Sequence, residues 1–429
     1  MENTRVAQKK GDTMPTINHT PKATPALLRN ARWFLAVLLL VFDALAAVRA
    51  FAKMPDIVWI LEGHTDVVTS VAFSPEGSMI VSGSGDETVR LWSTSNGQLL
   101  RTLWHNDVVW SVAFSPDGRR LASGGWDGNI NLWRVSDGTL LRKLVGQVDG
   151  VTSVAFSPDG RLIASGSEWP DCTIKLWSAS DGDLIMVIED QDSWVTSVAF
   201  SPDSKMIASG SDDKTIKLWR LYDGKLLGFL QGHRSVVLSV AFSPDGRMIA
   251  SSSLDGTIKL WRVSDGALIR TLEGHTSGVT SVAFSPDGRI IASSSLDGTI
   301  KLWRVSDGAL LESYDEETLD VLSVAFSPDG RMLAWGCGDS VVVVARNPFA
   351  VGAPAQPVQP SVPLMSSKGD VDSDGKVTIS DAMVALRIAV GLQEAAEAQL
   401  KAGDIDGNGR IDISDVVRIL RSAIGLERL

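Results

Sequence analysis

One pentapeptide, Val-Ala-Phe-Ser-Pro, is written seven times along this chain. Its phenylalanines are Phe73, Phe114, Phe156, Phe200, Phe242, Phe284 and Phe326, at intervals of 41, 42, 44, 42, 42 and 42 residues. A fixed period of this kind marks a repeat architecture, in which each unit cannot bury its apolar face alone and stacks on its neighbours. Inside a unit, apolar residues alternate with period two, as in Val-Thr-Ser-Val-Ala-Phe at 151–156 and Thr-Ile-Lys-Leu-Trp at 257–261. That alternation, broken by Pro-Asp-Gly and Ser-Asp-Gly, predicts short strands joined by tight turns. Several short strands per unit, seven times over, make an all-β seven-bladed propeller spanning residues 53–347.

A ring of sheets has to be closed, because open edge strands invite aggregation. The seventh repeat supplies only three strand patterns, near 322–327, 331–336 and 340–346. A spare pattern, Ile-Val-Trp-Ile-Leu-Glu at 57–62, precedes the first repeat and is expected to complete the last blade.

The units also share, with local variations, a pattern of Gly-His, Ser-Pro-Asp-Gly, Ala-Ser-Gly-Ser, an Asp, and Leu-Trp with the Trp six residues after the Asp. This pattern resembles the WD-repeat family, whose structural tetrad links a His, a strand Ser, the Asp and the Trp. The resemblance implies complete tetrads at His64, Ser82, Asp86, Trp92; at His105, Ser123, Asp127, Trp133; at His233, Ser251, Asp255, Trp261; and at His275, Ser293, Asp297, Trp303. A buried carboxylate needs hydrogen-bond partners, and the imidazole and hydroxyl supply them. Gln147, Gln191 and Glu317 stand in the His position of repeats three, four and seven, and Ala345 in the last Trp position; those blades should be softer. The His-Ser-Asp sets imitate a hydrolase triad, but four equivalent copies are a structural device rather than an active site. No phosphate loop, nucleophile motif or metal-ligand spacing occurs in the repeats.

The same resemblance implies that three positions per blade line one mouth of the ring: the third and fifth residues after the His, and the residue before the tetrad Asp. They give Val67, Thr69, Gly85 in the first blade, Val108, Trp110, Trp126 in the second and Gly150, Thr152, Pro170 in the third, with Glu168 and Trp169 inserted beside it. Trp194 and Asp212 in the fourth, Leu238 and Leu254 in the fifth, and Asp320 in the seventh follow. Trp110, Trp126, Trp169, Trp194, Leu238 and Leu254 are therefore expected to form an aromatic and apolar patch that binds a protein partner. Stacking on a glycan is a rival use of that patch, and packing between blades is the plain structural alternative.

A net charge of −11 leaves no basic stripe to neutralise phosphates, which argues against nucleic acid. Cys172 and Cys337 fall in non-adjacent repeats and are expected to be free thiols. Residues 13–42 contain no acid, and Lys22, Arg29 and Arg32 lead into the apolar run Trp33 to Phe42, followed by Ala44-Leu45-Ala46. Such an order predicts a secretory signal peptide or leader over 1–52, hence a secreted or extracytoplasmic protein, free or associated with the cell surface. An uncleaved anchor would bury Asp43 and Arg49, and each is costly in a membrane.

After Asn347 the chain becomes proline-rich, with Pro348, Pro354, Pro357, Pro360 and Pro363, which predicts an extended linker over 348–368. Two twelve-residue loops follow in 369–429. The first places Asp370, Asp372, Asp374, Lys376, Thr378 and Asp381 at positions one, three, five, seven, nine and twelve; the second places Asp404, Asp406, Asn408, Arg410, Asp412 and Asp415. Alternate oxygens around a tight turn suit Ca²⁺, the seventh position giving its backbone carbonyl, so two calcium ions are expected. An amphipathic pattern follows each loop, from about Ile379 to Leu392 and from about Ile413 to Leu426.

The duplicated Gly-Asp-x-Asp-x-Asp/Asn-Gly loop, each followed by one helix, resembles the dockerin family. The resemblance implies a small all-α domain with two EF-hand-type loops that docks to a cohesin-type scaffold protein, as in polysaccharide-degrading assemblies. Its contact residues would be Ile379, Ser380, Leu386 and Arg387, and in the second half Ile413, Ser414, Leu420 and Arg421. The Ile-Ser pair departs from the better-known Ser-Thr type, which leaves open which cohesin it would meet. The chain as a whole reads as a monomeric, secreted, non-enzymatic adaptor. Its rivals are a propeller hydrolase, a lectin-like polysaccharide binder, and a propeller with a calcium-stabilised cap and no cohesin.

Overall fold

The computed structural model describes residues 55–146, 150–189, 193–315 and 320–350, together with 385, 404, 405, 410, 411, 415, 416, 418 and 419 near the C-terminus. The leader, the proline-rich linker from 351 onward, the first calcium loop and the dockerin contact residues lie outside the described residues. So do Gln147, Gln191 and Glu317. The chain divides into two units, Met1–Val351 and Gly352–Leu429.

The first unit consists of seven antiparallel sheets of four strands each. Blade one is built from Val68–Phe73, Met79–Ser84, Thr88–Ser93 and Leu99–Trp104 in spatial order. The next five blades repeat that order without a crossover. In the seventh, Val321–Phe326, Met332–Cys337 and Val342–Arg346 are followed at the outer edge by Ile57–Leu61, paired antiparallel with Ile60 opposite Val343. The N-terminal strand therefore fastens the ring.

The first turn of a blade follows directly from Ser-Pro-Asp-Gly. In blade two, Ser115 Oγ donates to Asp117 Oδ1 at 2.6 Å and Gly118 N–H reaches Ser115 O at 2.8 Å. Gly118 sits at φ +66°, a conformation that a side chain disfavours.

A serine in the first strand holds neighbouring blades together. Ser70 Oγ accepts the N–H of Val112 at 3.2 Å, Ser111 that of Val154 at 3.0 Å and Ser153 that of Val198 at 3.1 Å. Ser197, Ser239 and Ser281 continue the series onto Val240, Val282 and Val324. Ser323 completes it on Val71 at 3.1 Å, from the last blade back to the first. The apolar core follows the same seams: Val81, Val89, Leu91 and Leu103 of blade one pack with Val109, Val112, Leu121 and Trp133 of blade two. At the closing seam Leu61, Val342 and Val344 meet Val68, Phe73, Ile80 and Trp92. Each blade thus buries its apolar face on the next.

Three of the four expected tetrads are complete. His64 lies 2.9 Å from Asp86 through Nδ1 and 2.7 Å from Ser82 Oγ through Nε2, and Trp92 donates its indole N–H to that hydroxyl at 2.8 Å. Burial holds the His64 imidazole below its usual pKa, so the neutral ring donates to Asp86 and accepts from Ser82. His233 and His275 repeat the arrangement.

Blade two departs from expectation. His105 Nδ1 stays 3.8 Å from Asp127, and neither ring nitrogen has a hydrogen-bond partner although the residue is 5% exposed. The residue before the His explains it. Gly63, Gly232 and Gly274 take φ of +149°, +158° and +150° in the complete tetrads. Trp104 stands there in blade two, and a Cβ bars that conformation. Lys143 reaches Asp127 Oδ2 at 3.2 Å instead.

In blades three and four a lysine in the third strand, at i+4 from the Asp, serves that carboxylate: Lys175 pairs with Asp171 and Lys217 with Asp213. The Trp–Ser half of the tetrad persists, Trp177 to Ser165 and Trp219 to Ser209, both at 2.9 Å. In blade seven Trp335 takes the tetrad Ser position and Ala345 the Trp position. Both lie in one buried cluster with Tyr314, whose ring stacks on Trp335 at 6.5 Å. Large and small have changed places, which conserves core volume. Cys172 and Cys337 are both buried, and no disulfide joins them.

Candidate functional site

Strand direction sends two loops per blade to one mouth of the ring: the connection into the first strand, and the turn between the second and third. A backbone hydrogen bond ties the two loops in every blade. Trp126 N–H donates to Val108 O at 2.9 Å, Asp212 to Trp194 O at 3.1 Å, Leu254 to Val236 O at 3.0 Å and Leu296 to Gly278 O at 2.9 Å. Gly85 bonds Val67 O and Gly338 bonds Asp320 O in the same way. The residue before the tetrad Asp is thus fixed beside the third residue after the His.

Blade three corrects that register. Glu168, not Pro170, donates to Gly150 O, at 3.2 Å. Proline has no N–H to give, so the two-residue insertion loops outward as Trp169-Pro170 and Cys172 N–H returns to Glu168 O at 2.9 Å. The rim position therefore carries a carboxylate, with an indole beside it.

The fifth position after the His has two uses. Thr69 Oγ1 donates to Val109 O at 2.5 Å and Thr280 to Val321 O at 2.6 Å, and Thr152 and Thr196 make the same bond to Val195 O and Val237 O. Those threonines clasp one blade to the next. Blades two, five and seven carry Trp110, Leu238 and Leu322 instead, which cannot make the clasp.

Tryptophan location separates core from surface. The tetrad indoles are all buried, whereas Trp110, Trp126, Trp169 and Trp194 are 37%, 54%, 67% and 44% exposed. Trp110 and Trp126 are in contact, ring centroids 5.9 Å apart and planes tilted by 41°. Trp169 and Trp194 stand on the next two blades without ring contact to that pair. Leu254 is exposed and Leu238 half-buried. Sequence reading put Glu168 in the rim as part of an insertion but gave the mouth position of blade three to Pro170, and it missed the Ser of Ser-Val-Ala-Phe as the ring's staple. Its sevenfold recurrence was the available signal.

The charge of the two faces differs. Loops at the mouth bring Asp66, Asp107, Glu168, Asp212, Asp320 and Asp339 to the rim, against two basic residues, Lys214 and Arg234, among the described loop residues. On the opposite face acids and bases neutralise each other within single turns: Arg134 pairs with Asp137 at 2.8 Å, Arg220 with Asp223 at 2.6 Å, and Arg262 with Asp265 and Arg304 with Asp307 at 2.8 Å.

In the C-terminal unit, most of the described positions belong to the second loop and to the helical residues after it. Asp415, at position twelve, is fully buried, and its Oδ1 accepts the N–H of Ile405, at position two, at 2.8 Å. The carboxylate at the end of the loop is thereby held against its beginning. Ile405 and Ile411 are buried on either side of the turn, and Asp415, Val416, Arg418 and Ile419 are helical. A buried carboxylate closing such a loop fits a bound divalent cation.

Comparison with known proteins agrees on both parts. A model of the WD domain, G-beta repeat, matches residues 55–93. Models of the echinoderm microtubule-associated protein second beta-propeller and of the IFT122 first beta-propeller match 109–274 and 210–351. A dockerin type I domain model matches 368–422. An uncharacterized WD repeat-containing protein of Synechocystis is 57% identical over 44 residues, 10% of this chain and 13% of that protein. A ribosome biogenesis protein BOP1 homolog of Drosophila grimshawi is 48% identical over 44 residues, 10% of this chain and 6% of that protein. Each of those likenesses spans about one repeat and a small fraction of the relative, so it speaks for the repeat alone. The chain is a seven-bladed WD-repeat propeller followed by a segment with the signature of a dockerin type I domain, a combination suited to protein interaction.

Proposed function

We propose that this protein is a secreted, non-enzymatic adaptor. The propeller binds a protein partner at its tryptophan-bearing mouth, and the C-terminal module docks the complex to a cohesin-type scaffold. The contacting, exposed indoles of Trp110 and Trp126 carry the reading, because Trp110 occupies a position where four other blades use a threonine clasp. Exposed aromatic residues on a rigid rim bind at little conformational cost.

Calcium would be held by Asp370, Asp372, Asp374, the Lys376 carbonyl, Thr378 and Asp381 in one loop. Asp404, Asp406, Asn408, the Arg410 carbonyl, Asp412 and Asp415 would hold it in the other. When bound, the ion supplies folding free energy to a module too small for a thick core. The buried Asp415 carboxylate, resting on the Ile405 N–H, supports this for the second loop. Docking would then use Ile379, Ser380, Leu386, Arg387, Ile413, Ser414, Leu420 and Arg421, and the repetition of the Ile-Ser and Leu-Arg pairs allows two orientations.

A hydrolase in the mouth would need paired acids around a substrate. Asp212 and Asp320, the acids at the expected mouth positions, belong to blades four and seven, which are not neighbours in the ring. The test is affinity capture from the secreted and envelope fraction of the source cells with the full chain as bait, in calcium and in chelator. A partner retained only with calcium and lost in a variant with Leu386, Arg387, Leu420 and Arg421 changed to Ala supports docking. Equal capture in chelator overturns it.

A further inference from the structure

We infer that the mouth of the propeller selects a cationic peptide segment, whose Lys or Arg side chains lie on the Trp110–Trp126 pair and face the Glu168 and Asp212 carboxylates. The inference rests on reading the mouth as a protein-binding site and adds the chemistry of the partner.

Three observations carry it. First, Trp110 and Trp126 present tilted indole faces 5.9 Å apart, and an indole face attracts an ammonium or guanidinium placed over it. Second, the rim is acidic beyond what the fold needs. The tetrad aspartates of the first six blades are met by His, Thr, Asn and Lys partners, but Asp66, Asp212 and Asp320 add exposed charge, and Glu168 takes a rim position that is Gly in blades one and seven. The opposite face, built from the same repeats, pairs its acids with arginines. A neutral sugar gains nothing from this field, an acidic segment is repelled, and a basic segment is both steered and held. Third, blade two leaves its tetrad His without a partner beneath this patch, although Trp133 still bonds Ser123. His105 is buried without a partner for either ring nitrogen, and a Cβ on Gly125 would lie 2.8 Å from His105 Cε1. The ring therefore packs against the backbone that carries Trp126. The one blade whose His has left the tetrad is the blade with both contacting tryptophans.

The test titrates rhodamine-labelled octapeptides into the full chain with calcium present, read by fluorescence anisotropy: Gly-Lys-Leu-Arg twice over, the same peptide with Glu for Lys and Arg, and the same with Gln. A neutral hexasaccharide competes. The basic peptide is expected to bind at least about tenfold tighter than the Gln peptide, and to weaken about tenfold between about 0.05 M and about 0.5 M salt. Glu168→Gln with Asp212→Asn should remove most of that preference, and Trp126→Ala should weaken both peptides, each with unchanged melting temperature. If the Gln and Lys/Arg peptides bind equally and Trp126→Ala still weakens them, the cationic inference fails while the protein-binding mouth stands. If the hexasaccharide alone binds, both fail. No binding by any peptide also overturns the inference.

Discussion

Replacing Asp297 by Ala and comparing the result with Asp127→Ala tests whether the tetrad is a stability device or a surface ornament. Asp297 accepts the N–H groups of Thr276 at 2.8 Å and Thr299 at 3.0 Å, the Thr299 hydroxyl at 2.6 Å and the His275 ring at 3.0 Å. Its side chain is almost wholly buried. Burial works to raise its pKa, and the bonds from His275, Thr299 and the Thr276 N–H outweigh it, holding the carboxyl well below its usual range. Removing it strands a buried imidazole and three further donors, a loss of about 3–5 kcal/mol on the scale of broken buried charge networks. Asp127 keeps only Asn129 and the half-exposed Lys143, with His105 out of reach. Its removal should cost about 1 kcal/mol. Urea unfolding of the full chain followed by tryptophan fluorescence reads the difference as a shift in midpoint. Because the folded carboxyl titrates lower than the unfolded one, its contribution is complete above the unfolded value of about 4 and fades as pH falls below it. The D297A penalty should therefore shrink on acidification. Equal midpoints for the two variants at pH 7 would refute the assignment.

Other outcomes follow from the same geometry. Trp110→Thr installs the residue that clasps blades in four equivalent positions, so melting temperature should hold or rise while peptide binding at the mouth falls at least about tenfold. Ser323→Ala and Ser111→Ala each remove one inter-blade hydrogen bond and should cost about 1 kcal/mol alike; a much larger loss for Ser323 would mean that the closing seam is strained rather than equivalent. Asp255, whose carboxyl burial tends to raise but whose bonds from Thr257, the Arg234 N–H and His233 bring down to about 2, should resist protonation at pH 4 in carbonyl-region NMR. Calcium removal should lower the helical circular dichroism of the full chain and leave its strand signal in place. Unchanged helix content in chelator would contradict a calcium-dependent module.

Much of the propeller was legible because a repeat states its own fold seven times. Alternating Val, Ala and Phe, the Ser-Pro-Asp-Gly turns and the His–Ser–Asp–Trp spacing are local signals, and they led to strands within one or two residues of those observed. The departures came from what one residue does to another in space. Trp104 stands where a Gly takes φ near +150° in the intact tetrads, and in that blade His105 stays 3.8 Å from its carboxylate. Pro170 counted as a rim residue by its distance from Asp171, until its missing N–H passed that place to Glu168. The roles of the threonine clasps and the serine staples stayed hidden for the same reason: their partners lie on the next blade, about 40 residues away in sequence.

By itself, then, the sequence determined that seven apolar faces must stack, where each turn falls, and that two acidic loops are spaced for a cation. Those are properties of short windows, where backbone preference and side-chain period act alone. Only the tertiary structure decided which tryptophans are core and which are surface. Core and exposed indoles sit in similar strand-and-turn surroundings, and the difference between Trp133 and Trp126 is whether a neighbouring blade covers the ring.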